Sequence, residues 1–243
     1  MINVVIPARI GSTRLKNKVL LKIDNKPMLH HVIDRCLKSN KVDNVFVVTD
    51  SNKVYESVLL TSAKPLMSDT NCSSGTVRIA SVLDQIEGDI IVNVQGDQPI
   101  VEPELIDLLI EKFIDNHFDI ATPIWKINDF EDLNDESLAK VVRDFDGKAL
   151  YFSRSPIPFL RDYDRDDWTK NAEYWAHYGI YVYRRQILES LDKLQVGILE
   201  NTEKLEQLRF LENGLNILTV ETKYRQQAVD TVEDFNKLTK LMT

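Results

Sequence analysis

Short, almost wholly apolar runs recur along the chain, and each is followed by a segment whose apolar residues return at helical spacing. "INVVIPA" precedes "KPMLHHVIDRCLKS", "NVFVVTD" precedes "NKVYESVLL", and "DIIVNVQGD" precedes "PELIDLLIEKF". This alternation predicts βαβ units and a mostly parallel sheet. Strands that are apolar at successive positions, rather than at every second one, are expected where helices cover both faces. The first half therefore predicts a doubly wound α/β sheet, in which ligands bind outside the carboxyl ends of the strands. "PARIGSTR", Asp50 and "QGDQP" all fall at such ends.

The second half is less regular. "KVVRDFDGKALYFSR" reads as two strands joined through a turn at Asp146 and Gly147, and "AHYGIYVYRR" as a further aromatic-rich strand, which together predict a mixed sheet extension. A helix over residues 201–213, a strand "NILTVE" and a last helix from about residue 231 are expected to follow, with Thr231, Glu233 and Asp234 forming its cap. No linker, repeat or low-complexity segment interrupts the pattern. The expectation is one domain, residues 1–243, with a hairpin region at about residues 140–190.

Composition narrows this picture. A chain of 243 residues with 43% hydrophobic content suits a well-packed core. Its net charge of -8 argues against a general polyanion binder, and so against nucleic acid as a partner. The two cysteines, Cys36 and Cys72, have no metal-ligand or redox spacing, and the N-terminus lacks the long apolar region of a signal peptide, so a reducing cytoplasm is expected. No apolar stretch approaches the roughly 18 residues that would span a bilayer.

Against that acidic background, "VVIPARIGSTRLKNK" carries Arg9, Arg14, Lys16 and Lys18 and no acid. Arg9, Ser12, Arg14 and Lys18 can direct amides, a hydroxyl and fixed charges into one concavity, which suits a triphosphate. A solvated surface loop is the plain alternative for isolated charges, but four cations directly after a buried strand outweigh it. With Gly11 as its only glycine, the loop is not a Walker loop. "VNVQGDQP" brings Asp97 to the same edge of the sheet, and "QQAVDT" brings Asp230 ahead of the last helix. A strand-ending Gly-Asp is often only a turn, yet two such carboxylates suit a hard cation such as Mg²⁺. "NCSSGTVR", with Ser74, Gly75, Thr76 and Arg78, reads locally as a helix start with hydroxyl caps. His177 within an aromatic strand reads as a core histidine, and "LENTEKLEQLRF" as an ordinary charged helix.

Taken together, "VIPARIGSTRLKNK", "KPMLHHV", "VVTD", "SSGTVR", "VNVQGDQP", "ALYFSRSPIPF", "HYGIYVY", "LENTEKLEQLRFLENG" and "VDTVEDF" resemble, in order and approximate spacing, the CMP-Kdo synthetases, or 3-deoxy-manno-octulosonate cytidylyltransferases. The resemblance spans nearly the whole chain. It implies a nucleotide-diphospho-sugar transferase fold, Mg²⁺ dependence, a homodimer formed through the hairpin region, and reaction of CTP with the acidic eight-carbon sugar Kdo to give CMP-Kdo and pyrophosphate, for lipopolysaccharide or capsule synthesis. It places Arg9, Ser12, Arg14 and Lys18 around the triphosphate and Ser74, Arg78 and Gln95 at the cytidine. Asp97 and Asp230 would bind metal, with Asp97, Lys18, Asp230 and Arg9 as the catalytic set. Arg154, His177, Tyr181, Glu206 and Gln207 would contact the sugar. Lys16, Asn17, Cys72, Val77 and Gln98 depart from the family's common pattern, which leaves the 8-amino analogue of Kdo as an alternative substrate. A sialic acid nucleotidyltransferase is disfavoured by "ALYFSR" and "LEQLR". A non-catalytic nucleotide-binding regulator would have little reason to keep Asp97, Asp230 and a sugar pocket together.

Overall fold

The apolar run at the start of the chain forms the strand Ile2–Pro7, buried at every position after the first. In the computed structural model, which describes residues 1–11 and 15–242, this strand lies in the first of two units, made of Met1–Ile110, Val182–Leu191 and Gln226–Thr243. Ile2–Pro7 pairs in parallel with Asn44–Thr49 on one side and Ile90–Asn93 on the other, and Asn44–Thr49 pairs in parallel with Lys64–Met67. The chain thus winds outward from its first strand, then crosses back to that strand's other flank. The order reverses between Ile2–Pro7 and Ile90–Asn93, and the loops leaving those two strands carry Arg9 and Asp97. Such a reversal opens a crevice at the carboxyl ends of the strands.

The helices follow from their apolar stripes. Met28–Cys36 buries Met28, Leu29, Val32, Ile33 and Cys36, one face at helical spacing. The last helix, Val232–Met242, opens with a reciprocal cap: Thr231 Oγ1 accepts from the Asp234 amide at 3.1 Å, and Asp234 Oδ2 accepts from the Thr231 amide at 2.8 Å. Leu238 of that helix packs with Ile23, Met28 and Val229. The apolar contact and the cap together fix Asp230 between them.

The second unit, Glu111–Tyr181 and Asp192–Arg225, holds the mixed sheet. Its centre is Ile120–Ile127, parallel to Ile217–Thr222 and antiparallel to Tyr174–His177. Lys140–Arg143 pairs antiparallel with Tyr174–His177 and with Ala149–Ser153. The two-strand reading of "KVVRDFDGKALYFSR" matches this hairpin. Its turn places Gly147 at φ +81, and Asp144 Oδ1 accepts from the Asp146 and Lys148 amides. The structure is the expected α/β fold, with parallel strands beside the short antiparallel pair Lys22–Ile23 and Lys26–Pro27 in the first unit and a mixed extension in the second.

Three local expectations are corrected. "AHYGIYVYRR" is two strands, Tyr174–His177 and Tyr181–Arg184, because Tyr178–Ile180 turns sharply, Ile180 donating to the Tyr178 carbonyl at 2.7 Å. The helix over 201–213 is two, Ile198–Glu203 and Gln207–Glu212, broken where Lys204 adopts φ 54. Asp97 lies in a turn beyond its strand, which stops at Asn93. Ile120–Ile127 itself is poorly announced by the sequence, since Pro123 in its middle lacks the amide a central strand uses. Among the described residues, no helix is long and apolar enough to cross a membrane.

His177 shows how the second unit holds a polar group out of water. Its Nε2 lies 2.9 Å from Thr122 Oγ1, which also lies 2.8 Å from the Ile180 carbonyl and 3.1 Å from that of Tyr178. Carbonyls only accept, so the hydroxyl proton goes to one of them and Nε2–H donates to the hydroxyl oxygen. Phe152 meets the imidazole edge-on at 5.2 Å between centroids. Burial pushes the His177 pKa down from 6.5 to about 3. The unfolded chain therefore takes up this proton near 6.5, whereas the folded chain resists it until about 3. The neutral imidazole's contribution to stability is complete above the higher value and lost as pH falls through the window. Chemical denaturation of the parent chain and His177→Gln across this range is expected to show the parent losing stability relative to the variant on acidification. A pH-independent difference would refute a neutral buried His177.

Candidate active site

In the first unit, Pro7, Arg9, Lys18, Ser74, Arg78, Gln95, Asp97 and Asp230 line one open cleft. Lys18 is at its centre. Asn17, at φ 56, turns the chain into the short 3-10 turn Lys18–Leu20, which buries Val19 and sends the lysine inward. Its Nζ donates to Asp97 Oδ2 at 2.7 Å and to Asp230 Oδ1 at 2.9 Å. The Asp97 carbonyl accepts from the Val229 amide at 3.0 Å, which ties the turn after one strand to the segment before the last helix. Residues far apart in sequence thus meet at one ammonium.

The lysine side chain is 11% exposed, Asp97 24% and Asp230 43%, so the Asp97 bridge is the less screened of the two. Burial opposes the lysine's charge, but the Asp97 and Asp230 carboxylates outweigh it and raise its pKa above the ordinary value. Among the described residues no group of three or more His, Cys, Asp or Glu could enclose a metal ion. The donor set is a carboxylate pair already gathered around a positive charge. Mg²⁺ fits such a set, because it commonly takes one or two carboxylates and fills its shell with water and substrate phosphate.

The cleft's wall is the short helix Gly75–Ala80. Ser74 caps it, its Oγ accepting from the Val77 amide at 3.2 Å. A Cβ at Gly75 would lie 3.0 Å from the Pro7 ring and 3.4 Å from Gln95 Oε1, so glycine allows the helix to close on the strand end. Gln95 Nε2 donates to Asn93 Oδ1 at 3.0 Å. Arg78 is nearly buried, and its Nη2 donates to Asp50 Oδ2 at 2.9 Å. Arg9 is exposed at the cleft. Ser12 and Arg14 lie outside the described residues.

The residues assigned to the sugar lie in the second unit. Arg154 donates from Nε to the Glu203 carbonyl and from Nη1 to the Glu136 carbonyl, both at 2.8 Å, with Nη2 3.4 Å from that of Lys204. Tyr181 donates its hydroxyl to Gln207 Oε1 at 3.3 Å, and its ring lies 5.3 Å from that of His177. Gln207 is 4% exposed, and its Nε2 is buried with no hydrogen-bond partner among the described residues. Glu206 is half-buried at the start of the same helix.

Two residues important to this geometry were not singled out for it from the sequence. Glu203 accepts from Ser153 Oγ at 2.7 Å and from the Arg154 amide at 3.0 Å, so it sets the strand end from which Arg154 projects. Burial works against its charge, but these hydrogen bonds hold its pKa below the usual carboxylate value. Asp50, noticed only as a strand end, is the counter-ion of Arg78. Both belong to ordinary-looking sequence, and only the break at Lys204 and the fold of the loop after Met67 bring them into place. Of the positions that depart from the family pattern, Cys72 lines the cleft, whereas Gln98 is 1% exposed and lies outside its lining.

The cytidylyltransferase family model matches residues 3–217. The 3-deoxy-manno-octulosonate cytidylyltransferase of Pelobacter propionicus is 41% identical over 244 residues, covering 97% of this chain and 95% of that protein. Its counterpart in Solibacter usitatus is 41% identical over 98% of this chain and 92% of its own length. Among solved structures, CMP:2-keto-3-deoxy-manno-octonic acid synthetase complexed with CTP superposes with a TM-score of 0.93 at 38% identity, covering 100% of this chain and 98% of that one. The inositol-1-phosphate CTP transferase of T. maritima, at 14% identity and a TM-score of 0.69 over 100% of this chain and 95% of that one, shares the fold alone. With relatives this similar over their full length, and a carboxylate–lysine cleft at the strand ends, the chain belongs to the 3-deoxy-manno-octulosonate cytidylyltransferases.

Proposed function

We propose that this protein transfers the cytidylyl group of CTP to 3-deoxy-manno-octulosonate (Kdo), giving CMP-Kdo and pyrophosphate. The observation that carries the reading is the meeting of Lys18, Asp97 and Asp230 in a cleft of a chain with full-length similarity to enzymes of that name. The anomeric 2-hydroxyl of the sugar attacks the α-phosphorus in line. A new P–O bond forms, the bond to the β-phosphate oxygen breaks, pyrophosphate departs with the electron pair, and the hydroxyl proton passes to solvent. No protein nucleophile is needed, so the chain contributes position and charge. Arg9 and Lys18 stabilise the triphosphate and the departing pyrophosphate. Asp97 and Asp230 would hold Mg²⁺, which when bound supplies Lewis-acid charge beside the α-phosphate. Ser74, Gly75 and Gln95 shape the wall against which the nucleoside part rests.

In the second unit, three carbonyls hold the Arg154 guanidinium without cancelling its charge, which suits the carboxylate of an acidic sugar. Gln207 offers a buried amide donor that is unused among the described residues, which suits a sugar hydroxyl. The exposed Phe145, Leu150 and Phe159 of the hairpin region suit the homodimer contact. We take residues 1–243 as one functional domain built from the two units. A cytoplasmic location accords with free Cys36 and Cys72.

Pyrophosphate release with CTP, Mg²⁺ and either Kdo or its 8-amino analogue tests the reaction directly, with Kdo expected to be the better substrate. Asp97→Asn removes a charged ligand from a turn rather than from the core. It is expected to lose most turnover and to fold still, at an unfolding midpoint lowered by the loss of one of the two Lys18 carboxylates, and near-normal rates at ordinary Mg²⁺ would sink the metal assignment.

Gln207→Ala takes away the Oε1 that accepts from the Tyr181 hydroxyl and a buried donor with no partner among the described residues, at about 1 to 3 kcal/mol per buried polar group. The KM for sugar is expected to rise roughly 5- to 150-fold on that basis, with the KM for CTP little changed. An effect on CTP alone would show that this helix serves the nucleotide instead. Sedimentation at micromolar concentration is expected to give a dimer, and a fully active monomer would count against the hairpin contact.

A further inference from the structure

Arg78 lines a cleft suited to an anion, yet it is 2% exposed and its guanidinium is committed to its own chain. Nη2 donates to Asp50 Oδ2 at 2.9 Å, and Nη1 donates to Ser68 Oγ and, at 3.4 Å, to the Asp69 carbonyl. Asp50 directly follows the strand Asn44–Thr49, and Ser68 follows the strand Lys64–Met67, its amide donating to the Thr49 carbonyl at 2.9 Å. Ser68 and Asp69 begin the loop that brings Cys72, Ser73 and Ser74 to the cleft. One guanidinium therefore joins a strand end, the root of a cleft loop and the wall helix. Asp50 is the anion paired with it. A guanidinium this far from water needs a full counter-charge, and a neutral partner leaves it uncompensated.

We propose that Asp50 is a positioning residue for nucleotide binding: it holds Arg78 as a clamp that keeps the loop over residues 68–74 against the wall helix. Arg78 then acts through the cleft's shape rather than as a direct ligand of the nucleotide. This deepens the CTP reading above and rests on it for its kinetic part.

The two cysteines provide a readout that needs no substrate. Cys72 lines the cleft on the clamped loop, whereas Cys36 is fully buried in the helix Met28–Cys36 and reports on the fold. In Asp50→Asn, alkylation of Cys72 by iodoacetamide is expected to quicken at least about tenfold while Cys36 stays protected. The KM for CTP should rise about 10- to 100-fold, with kcat and the KM for sugar within about twofold of the parent. The double variant Asp50→Asn/Arg78→Gln removes the stranded charge along with its partner, and its KM for CTP is expected to be no worse than that of the single variant.

Unchanged Cys72 reactivity with unchanged KM for CTP would overturn the clamp. So would equal losses on both substrates with Cys36 exposed, which would make Asp50 a general support of the fold. A further tenfold loss in the double variant would make Arg78 a direct ligand. If the parent fails to turn over CTP with Kdo, the reaction reading falls, and the Cys72 rates still decide the clamp.

Discussion

A single ammonium sets the terms of the first unit. Lys18 comes from the loop after the first strand, Asp97 from the turn after Ile90–Asn93, and Asp230 from the approach to the last helix. Removing an ammonium from water costs several kcal/mol, and only close, well-aligned carboxylates offset it. The surrounding structure supplies that alignment. The Val229 amide holds the Asp97 carbonyl, the cap at Thr231 and Asp234 fixes the start of the last helix, and Leu238 packs that helix with Ile23, Met28 and Val229. The topological crevice determines where these segments meet, and the charge triad determines which side chains can stand there.

Two cations of the second unit are held differently. Arg154 and Lys140 both donate to main-chain carbonyls, Lys140 Nζ at 2.7 Å to those of Asp135 and Leu138. Lys140 is fully buried, and burial lowers its pKa despite the nearby charge of Asp135. Carbonyls fix a cation's position but return less Coulomb energy than carboxylates. A guanidinium held in this way keeps its attraction for an incoming anion, whereas Lys18 begins already balanced by two acids. Lys18 and Arg154 therefore present positive charge in different states of compensation, and removing a partner is expected to be felt more sharply around Lys18.

The parallel half of the fold was legible because both of its periodicities were plain: apolar runs for strands covered on two faces, and the stripe of Met28–Cys36 for the helix that covers them. Asp97 and Asp230 were visible as carboxylates at segment ends, but their meeting at Lys18 is a property of the topology and not of spacing. The second half resisted where one residue overrides a local pattern. Pro123 disguises a central strand, a turn at Tyr178–Ile180 divides an aromatic run, and a left-handed Lys204 breaks what charge and periodicity present as one helix. Glu203 illustrates the limit well. In sequence it is one acid in a charged helix, and its importance comes from the strand end it reaches.

The acidity of the whole chain sharpens the design of its first loop. With a net charge of -8, long-range potential does not favour an anionic substrate, so attraction must be built at short range. Cations crowded for that purpose repel one another while the cleft is empty, and an open cleft lets water screen them only in part. Pairing Lys18 with Asp97 and Asp230 relieves part of that strain, since the central cation is neutralised by groups from elsewhere in the chain. Pairing Arg78 with Asp50 does the same at the wall. The acids around the cleft thus hold two of its cations, Lys18 and Arg78, in place in a folded, acidic protein.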